Sequence, residues 1–460
     1  MTVSTRPRVL FSNPPWWITA TPLKLSIRER LLTRRRPLVA GVRAGSRWPC
    51  TVNVRSRPDH FVFGDYLPYP FFMGYAATYV ARKTGAEVVL RDSIARRESY
   101  ATYFAYLDRT PFDLVVIETA TPSWDHDKVL IEELRRRHPR LVIAITGPIG
   151  TMGQRILAEA PVDAVVKGEY EKACARIVEG ARGVLDFDLL TLEEMNAAPH
   201  PGFDALTARH YWDHNPVGQR VPHAQVWSSR GCPYKCIFCV WPAAMTGNDP
   251  DGSGKRKVRH YSADYMYSFL TEIVKTYGFR SIYFDDDTFN LGNKHVAAMC
   301  GVMRRIGLPW SAMCRADTIK QDLWREMKES GCFGVKIGFE SGNQYVVDQI
   351  VNKHLDLEYA RQTVEQLKAL GMTVHGTFTY GLPGETREHM LDTKRFIAQL
   401  GLTTYQESGC AEIEGAPLHT LSTGGSFEKY AGAHIGADYD RQVDGNVKFQ
   451  RIAKELRAEV

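Results

Sequence analysis

Short apolar runs alternate with helix-spaced apolar residues through the first third of the chain. RVLFSNPP (8–15) has the pattern of a buried strand and is broken by Pro14 and Pro15. YPFFMGYAATYVARKTG repeats apolar residues at helical spacing and stops at Gly85. AEVVLRDS, FDLVVIETAT, RLVIAITG and VDAVVKGEY then read as strands, with VDAVVKGEY the last of them. ESYATYFAYLDRT, HDKVLIEELRRRHP and TMGQRILAEA read as the helices between them. Parallel strands joined by crossover helices bury both faces of their sheet, so residues 1–183 are expected to form a doubly wound α/β domain. A ligand of such a domain is expected beyond the carboxyl ends of the strands, where the loops at Asn13–Pro15, Thr119–Pro122 and Gly147–Thr151 gather.

The rhythm is lost over 184–220, which is proline-containing and reads as a linker, and resumes over 221–405. There AQVWSSRG, SIYFDDDTF, WSAMCRADT, GVKIGFESG, VHGTFTYGLPGET and TTYQESGCAEI read as strands. The amphipathic stretches between them, such as SADYMYSFLTEIVKTYG and LEYARQTVEQLKALG, read as helices. Six strand-helix repeats suggest a partial (β/α)6 barrel of the TIM type, with its chemistry at the carboxyl ends of the strands. The remainder, 406–460, is a C-terminal extension, glycine-rich and then helical at VKFQRIAKELRAEV.

Length adds that 460 residues exceed one domain, in keeping with two domains and appendages. With 44% hydrophobic and 24% charged residues the composition is globular, and no apolar stretch is long enough for a membrane span. The amino-terminal stretch lacks the apolar core of a secretory signal, so a cytoplasmic protein is expected. The net charge of +6 is local: an insertion over 24–58 carries ten lysines and arginines against the single acid Glu29. A nucleic-acid binder spreads such charge over a face with a reading motif, so nucleic acid is not an expected partner. The insertion is either a solvated loop or a cover for an anionic ligand.

The nine cysteines form no disulfide framework, but three crowd together in SSRGCPYKCIFCVWP: Cys232, Cys236 and Cys239, spaced C-x3-C-x2-C after a predicted strand. Three thiolates in one loop can wrap a single metal centre. Structural zinc wants a fourth ligand, and His223 and His260 are distant in sequence. Iron-sulfur clusters usually take four cysteines, so three leave one iron open for chemistry. Tyr234, Ile237 and Phe238 would give the centre an apolar shell.

RGCPYKCIFC followed by a six-fold βα series resembles the radical SAM superfamily, whose [4Fe-4S] cluster leaves an iron to bind S-adenosylmethionine (SAM). YFDDDTF, GFESGNQYVVDQIVNKHLDLE and VHGTFTYGLPGET resemble, in order and spacing, segments of its cobalamin-dependent branch. The resemblance implies that Cys232, Cys236 and Cys239 hold the cluster. For SAM it implies Phe238 beside the cluster, Asp286 in an acidic turn toward the amino group, Glu340, Ser341 and Gly342 toward the ribose, and the turn of Gly381–Gly384 toward the adenine. Arg315 is either the partner of the SAM carboxylate or one half of a structural ion pair. The first domain resembles the Rossmann-like cobalamin-binding domain of the same branch. TGPIGT stands at its GGPHAT-like loop, LPYPFFMGYAATYVA at its helix start and KGEYE at its GEGE-like strand end. This implies cobalamin contacts from Asn13, Pro14, Thr119, Gly147, Pro148, Gly150, Thr151, Gly168, Glu169 and Tyr170. No D-x-H-x-x-G occurs, so no histidine has the setting of a lower cobalt ligand.

The implied activity is a cobalamin-dependent radical SAM methyltransferase. The cluster cleaves SAM to a 5′-deoxyadenosyl radical, which takes a hydrogen from an unactivated carbon of a small-molecule substrate. The carbon then accepts a methyl group from methylcobalamin, and a second SAM restores it. An external electron donor of flavodoxin or ferredoxin type is the implied partner. Two alternatives stand beside it: a cobalamin-dependent radical SAM cyclase, which resembles the chain also at Trp241–Pro242, and a non-catalytic cobalamin sensor with a structural cluster. Arg43, Arg47 and Trp48 of the insertion, and Glu412 and Glu414 after the last strand, are candidates to meet the substrate. They leave its charge open.

Overall fold

The computed structural model describes residues 6–15, 17–19, 38–40, 51–52, 66–213, 215–410 and 413–419. The chain divides into two compact units, Met1–His214 and Asn215–Val460.

The first unit is built on six parallel strands: β1 (Arg8–Asn13), β5 (Glu87–Asp92), β6 (Leu114–Glu118), β7 (Val142–Thr146), β8 (Ala164–Val166) and β9 (Gly183–Leu185), in the order β5-β1-β6-β7-β8-β9. The centre of the sheet is made of Val, Ile and Leu runs that are buried throughout, as expected where helices cover both faces. One core collects Leu10, Val115, Ile117, Ile131, Leu134, Ile143, Ile145 and Val165. Five helices connect the strands: α1 (Phe71–Thr84), α2 (Tyr100–Arg109), α3 (Trp124–Arg137), α4 (Gly153–Glu159) and α5 (Glu171–Val178). α1 ends where predicted, on Gly85 in the left-handed conformation (φ 71°), which a side chain would disfavour. α3 starts with Asp125 and Asp127 and ends with Arg135, Arg136 and Arg137, charges that oppose the helix dipole at both ends. Because β1 lies between β5 and β6, successive crossovers leave it in opposite directions, which opens a crevice at the carboxyl ends of β1 and β6.

Several features differ from the sequence reading, among them α5, which follows the strand read as the last. The sheet has a sixth strand, β9, which falls at the edge of the segment taken as a linker and is too short, at three residues, to show a period. That segment is also ordered against the first unit. It contains α6 (Leu192–Ala197), closed by a capping box between Thr191 and Glu194. Beyond α6, Tyr69 Oη donates to Gly202 O at 2.5 Å, Arg96 pairs with Asp204 at 2.6 Å, and Leu67 bridges Trp212. Between β1 and α1 lies a small antiparallel sheet of β2 (Trp17–Thr19), β3 (Leu38–Ala40) and β4 (Thr51–Val52), in the region of the basic insertion.

In the second unit the six parallel strands run in chain order: β10 (His223–Val226), β13 (Ser281–Phe284), β14 (Trp310–Cys314), β15 (Cys332–Glu340), β16 (Thr373–Tyr380) and β17 (Thr404–Gly409). Each of α7 (Ala263–Tyr277), α8 (Asn293–Ile306), α9 (Gln321–Glu329), α10 (Leu357–Ala369) and α11 (Arg387–Leu400) steps the chain one strand sideways, and β10 and β17 do not pair, so the series is open. Side chains of Ser262, Asp356 and Thr386 cap α7, α10 and α11, and left-handed Gly278, Gly307 and Gly401 end α7, α8 and α11. A second antiparallel pair, β11 (Ser229–Arg230) with β12 (Arg259–His260), closes the base of the loop that carries the three cysteines.

Candidate functional site

Strand ends of the second unit deliver the site. Cys232 follows β11 directly after Gly231, whose φ of 93° turns the chain sharply; a Cβ there would stand 2.5 Å from Lys257 O. Cys236 and Cys239 are linked by a turn in which Cys239 N donates to Cys236 O at 3.1 Å. None of the three is in a disulfide: Cys232 is buried, with its Sγ 3.6 Å from Thr288 Oγ1, and the other two are partly exposed. The loop is backed by an apolar cluster of Ile237, Val346, Ile350, Val351, Leu382, Cys410 and Leu418, against which Cys236 and Phe238 also pack. Ile237 is held from both sides, its N–H by Val351 O at 3.0 Å and its carbonyl by Leu418 N at 2.8 Å.

Three soft donors on one anchored loop fit an iron-sulfur centre. Burial pushes the Cys232 thiol up to about 11 and raises that of Cys236, so ionisation of these donors awaits a cation. Among the described residues, no group of three or more His, Cys, Asp or Glu side chains surrounds one metal-ion position. A lone zinc needs all its donors within about 2.3 Å of a point, whereas a cluster offers a separate iron to each thiolate.

The other candidates of this unit lie around the loop, and several are engaged by the fold itself. Asp286, after β13, is fully buried. Its Oδ1 accepts from Ser228 N and Oγ at 3.0 Å and from Ser229 Oγ at 2.6 Å, so it ties the end of β10 to the end of β13. Burial raises its carboxyl to about 7 despite those donors. Arg315 is paired with a neighbouring carboxylate. Its Nε and Nη2 lie 2.5 and 2.9 Å from the carboxylate of Asp317, Nη2 also donates to His354 O at 2.8 Å, and the guanidinium lies 3.8 Å from the ring centre of Tyr234 in the cysteine loop. Ser341 Oγ and Gly342 N both bond Thr393 Oγ1 of α11, at 3.0 and 2.9 Å. A Cβ on Gly342 would stand 2.5 Å from Phe396 Cβ, so this glycine serves the approach of a helix to a strand end. In the GLPG turn, Glu385 Oε2 accepts from Gly381 N at 2.7 Å and Leu382 N at 3.2 Å, which fixes the turn from below.

Glu340 closes β15 with a φ of 70°, at an irregularity in the register with β16. Its carboxylate takes Lys353 Nζ at 2.9 Å and Thr379 Oγ1 at 3.1 Å. Two further non-glycine residues, Asn352 (φ 58°) and His354 (φ 52°), are left-handed beside it. Such conformations cost of order 1 kcal/mol or more each and collect at functional sites. The strap 351–354 therefore belongs to the site; the sequence reading included it in the segment GFESGNQYVVDQIVNKHLDLE but gave its residues no role. Asparagine's tolerance of the left-handed region was the one available hint.

In the first unit, Asn13 ends β1, and Thr119, Gly147–Thr151 and Gly168–Tyr170 follow the carboxyl ends of β6, β7 and β8. Their polar side chains are turned into the fold. Tyr170 Oη donates to Glu118 at 2.8 Å, Glu169 accepts from Leu190 N at 3.0 Å, Asn13 donates to Asp92 at 3.4 Å, and Thr119 bonds Asp127 and Ser123. A Cβ on Gly147 would stand 2.0 Å from Thr119 O, and one on Gly150 2.1 Å from Val166 O. Backbone is thus seated on backbone at this edge, where a side chain at either glycine would not fit. Pro14 and Pro148 are buried there. Glu414 is buried after β17, and Arg43, Arg47, Trp48 and Glu412 lie outside the described residues.

Residues 228–397 match the radical SAM superfamily. Over 76% of this chain and 77% of the relative, the sequence is 26% identical to an uncharacterized methyltransferase of Pyrococcus horikoshii. It is 27% identical to the cytidylyl-2-hydroxyethylphosphonate methyltransferase of Streptomyces wedmorensis over 49% of this chain, and that match spans only 43% of the relative's length. The fold is shared with the radical SAM methyltransferase TsrM of Kitasatospora setae, solved with cobalamin and a [4Fe-4S] cluster (TM-score 0.59, 16% identity, 78% of this chain and 72% of that one).

Proposed function

We propose that this radical SAM protein is a cobalamin-dependent methyltransferase that acts on an unactivated carbon of a small molecule. The observation that carries the reading is the anchored trio Cys232, Cys236 and Cys239 above the carboxyl ends of a chain-ordered parallel sheet, within the stretch that matches the superfamily. The methyltransferase names of the relatives support it. So does the fold held in common with a protein solved with both cofactors. In this reading 1–183 is the Rossmann-like cobalamin domain, 221–405 the partial barrel with cluster and SAM, and 406–460 an extension.

When bound, the cluster and cobalamin supply, respectively, the electron that cleaves SAM and the methyl group. The chain's own residues bind and orient. Cys232, Cys236 and Cys239 give three thiolates and leave one iron to SAM. Ile237 and Phe238 keep water from that centre. Asp286 holds the strand ends on which the loop stands, and Arg315 stacks on Tyr234 of the loop and fixes the strap through His354. Glu340, Ser341, Gly342 and the GLPG turn frame the nucleoside side. Asn13, Thr119, Gly147–Thr151 and Gly168–Tyr170 form the shelf for the corrinoid. Reduction needs an external low-potential donor of flavodoxin or ferredoxin type. Among the described residues no helix is long and apolar enough to cross a membrane.

The test is anaerobic reconstitution with iron, sulfide, methylcobalamin, SAM, a low-potential reductant and a small-molecule extract that supplies candidate methyl acceptors. Release of 5′-deoxyadenosine together with loss of the methyl group from methylcobalamin is the expected result. Deoxyadenosine without methyl loss would point to a cyclase or another radical reaction, and neither product would point to a sensor.

A further inference from the structure

The chain between the cysteines and β12 comes back across the cysteine loop and is fastened to it. Arg256 Nη1 donates to Tyr234 O at 2.7 Å and Lys235 Nζ to Gly252 O at 2.5 Å. The carbonyl of Lys257 lies so close to Gly231, the residue before Cys232, that a Cβ there would stand 2.5 Å from it. Arg256 also pairs with Asp249 at 2.8 Å, and neither side chain is exposed to water. A pair sealed in this way adds little net stability; it fixes a geometry. The geometry is an alternation: Arg256 points inward, while Lys255 and Lys257 on either side of it are exposed and make no ion pair among the described residues. Asp251, an exposed acid of the same loop, is folded back on Ser253 N and Oγ at 3.0 and 2.8 Å.

We infer that Lys255 and Lys257 form the docking surface for the electron donor, a small protein with an acidic face that carries a low-potential redox centre. The inference rests on the cluster reading above. Electron tunnelling falls steeply with distance, so a donor must dock close to the centre it reduces, and the backbone of Lys257 touches the residue before Cys232. Charges of one sign on a fixed loop steer a partner of opposite charge and raise its encounter rate more than its affinity, which suits a donor that has to leave after each transfer. The stretch 250–258 has no aromatic residue on which a base could stack and no reading motif, so a protein fits it better than a nucleic acid. One electron passes from the donor, which is oxidised, to the cluster, which goes from the 2+ to the 1+ level. No bond forms or breaks, and the lysines take no part in the transfer itself.

The experiment follows, by anaerobic stopped flow, the bleaching of the reconstituted cluster by two reductants: a reduced flavodoxin with a strongly acidic surface, and photoreduced deazariboflavin, which is uncharged. The wild type is compared with the double variant Lys255→Glu, Lys257→Glu, with the double variant Lys255→Arg, Lys257→Arg, and with Lys83→Glu on the first unit as a control for net charge. The glutamate pair is expected to slow reduction by flavodoxin roughly tenfold or more at low ionic strength and to flatten its salt dependence. The arginine pair and Lys83→Glu are expected to keep the wild-type rate, and deazariboflavin to reduce all four proteins alike. Should the glutamate pair fail to load a cluster, Lys255→Gln, Lys257→Gln takes its place with a smaller slowing in the same direction. Equal slowing with both reductants, equal slowing by Lys83→Glu, or an unchanged flavodoxin rate would overturn the docking role. So would an unchanged flavodoxin rate accompanied by loss of tRNA retention, which would assign the lysines to nucleic acid. A wild type that assembles no cluster would instead overturn the reading on which the inference rests.

Discussion

Asp286 and Arg315 stand at strand ends of the second unit, and both meet protein partners there: Asp286 the serines after β10, Arg315 the carboxylate of Asp317. Asp286 has a consequence for stability. Its carboxyl rises from 3.8 to about 7 on burial, so the folded chain binds this proton more tightly than the unfolded one. The contribution is complete below the unfolded value and declines by up to ~1.4 kcal/mol per pH unit as pH climbs through the window to about 7. Asp286→Asn, permanently neutral, is expected to flatten that decline. Urea midpoints of the wild type and variant across the window check it; parallel curves would mean that Asp286 is ionised in the folded protein throughout. At this scale the cysteine trio was legible because three soft donors at close spacing have few other uses. The distant partners of Arg315 were not, since Tyr234 and His354 meet it only through the fold. The conformation of the strap at 351–354, inside a segment the resemblance covers, was hidden for a related reason: its signal is a set of backbone dihedrals, and Asn-Lys-His carries no glycine to announce them.

Among the elements, α1 to α4, the helices of the second unit and the strands of the second sheet were readable from their apolar period, with Gly85 as a stop whose mechanism is local, whereas α5 and α6, of eight and six residues, were not read. The three-residue β9 has too little pattern to be read and is specified by pairing with β8. The resemblance places the glycines of the loop after β7 among the implied cobalamin contacts. The structure adds a tighter constraint, since a methyl group on Gly150 would overlap a backbone carbonyl that cannot swing away. Gly150→Ala is therefore expected to cost ~1–3 kcal/mol or more and to lower the thermal midpoint. Thr386→Ala, which removes one cap bond from α11, is expected to cost only about 1 kcal/mol. Differential scanning calorimetry of the pair checks the order, and equal midpoints would contradict the backbone-on-backbone seating.

At the scale of the whole chain, two different ways of arranging parallel strands occur in one polypeptide: an order that reverses at β1 and an order that never reverses. Each places its candidate residues at carboxyl strand ends, but they belong to separate units. Cobalamin and iron are therefore expected to load independently. Cys236→Ser should lose the cluster yet keep the corrinoid, as read from the visible absorbance of the protein after desalting; joint loss would contradict separate sites. The measurement that tests the central claim most directly is the electron paramagnetic resonance spectrum of the anaerobically reconstituted, reduced chain with and without SAM. A three-cysteine cluster with an open iron predicts a [4Fe-4S]+ signal that changes when SAM is added and is lost in Cys232→Ser, Cys236→Ser and Cys239→Ser. A signal indifferent to SAM, or one that survives any of these substitutions, would contradict it.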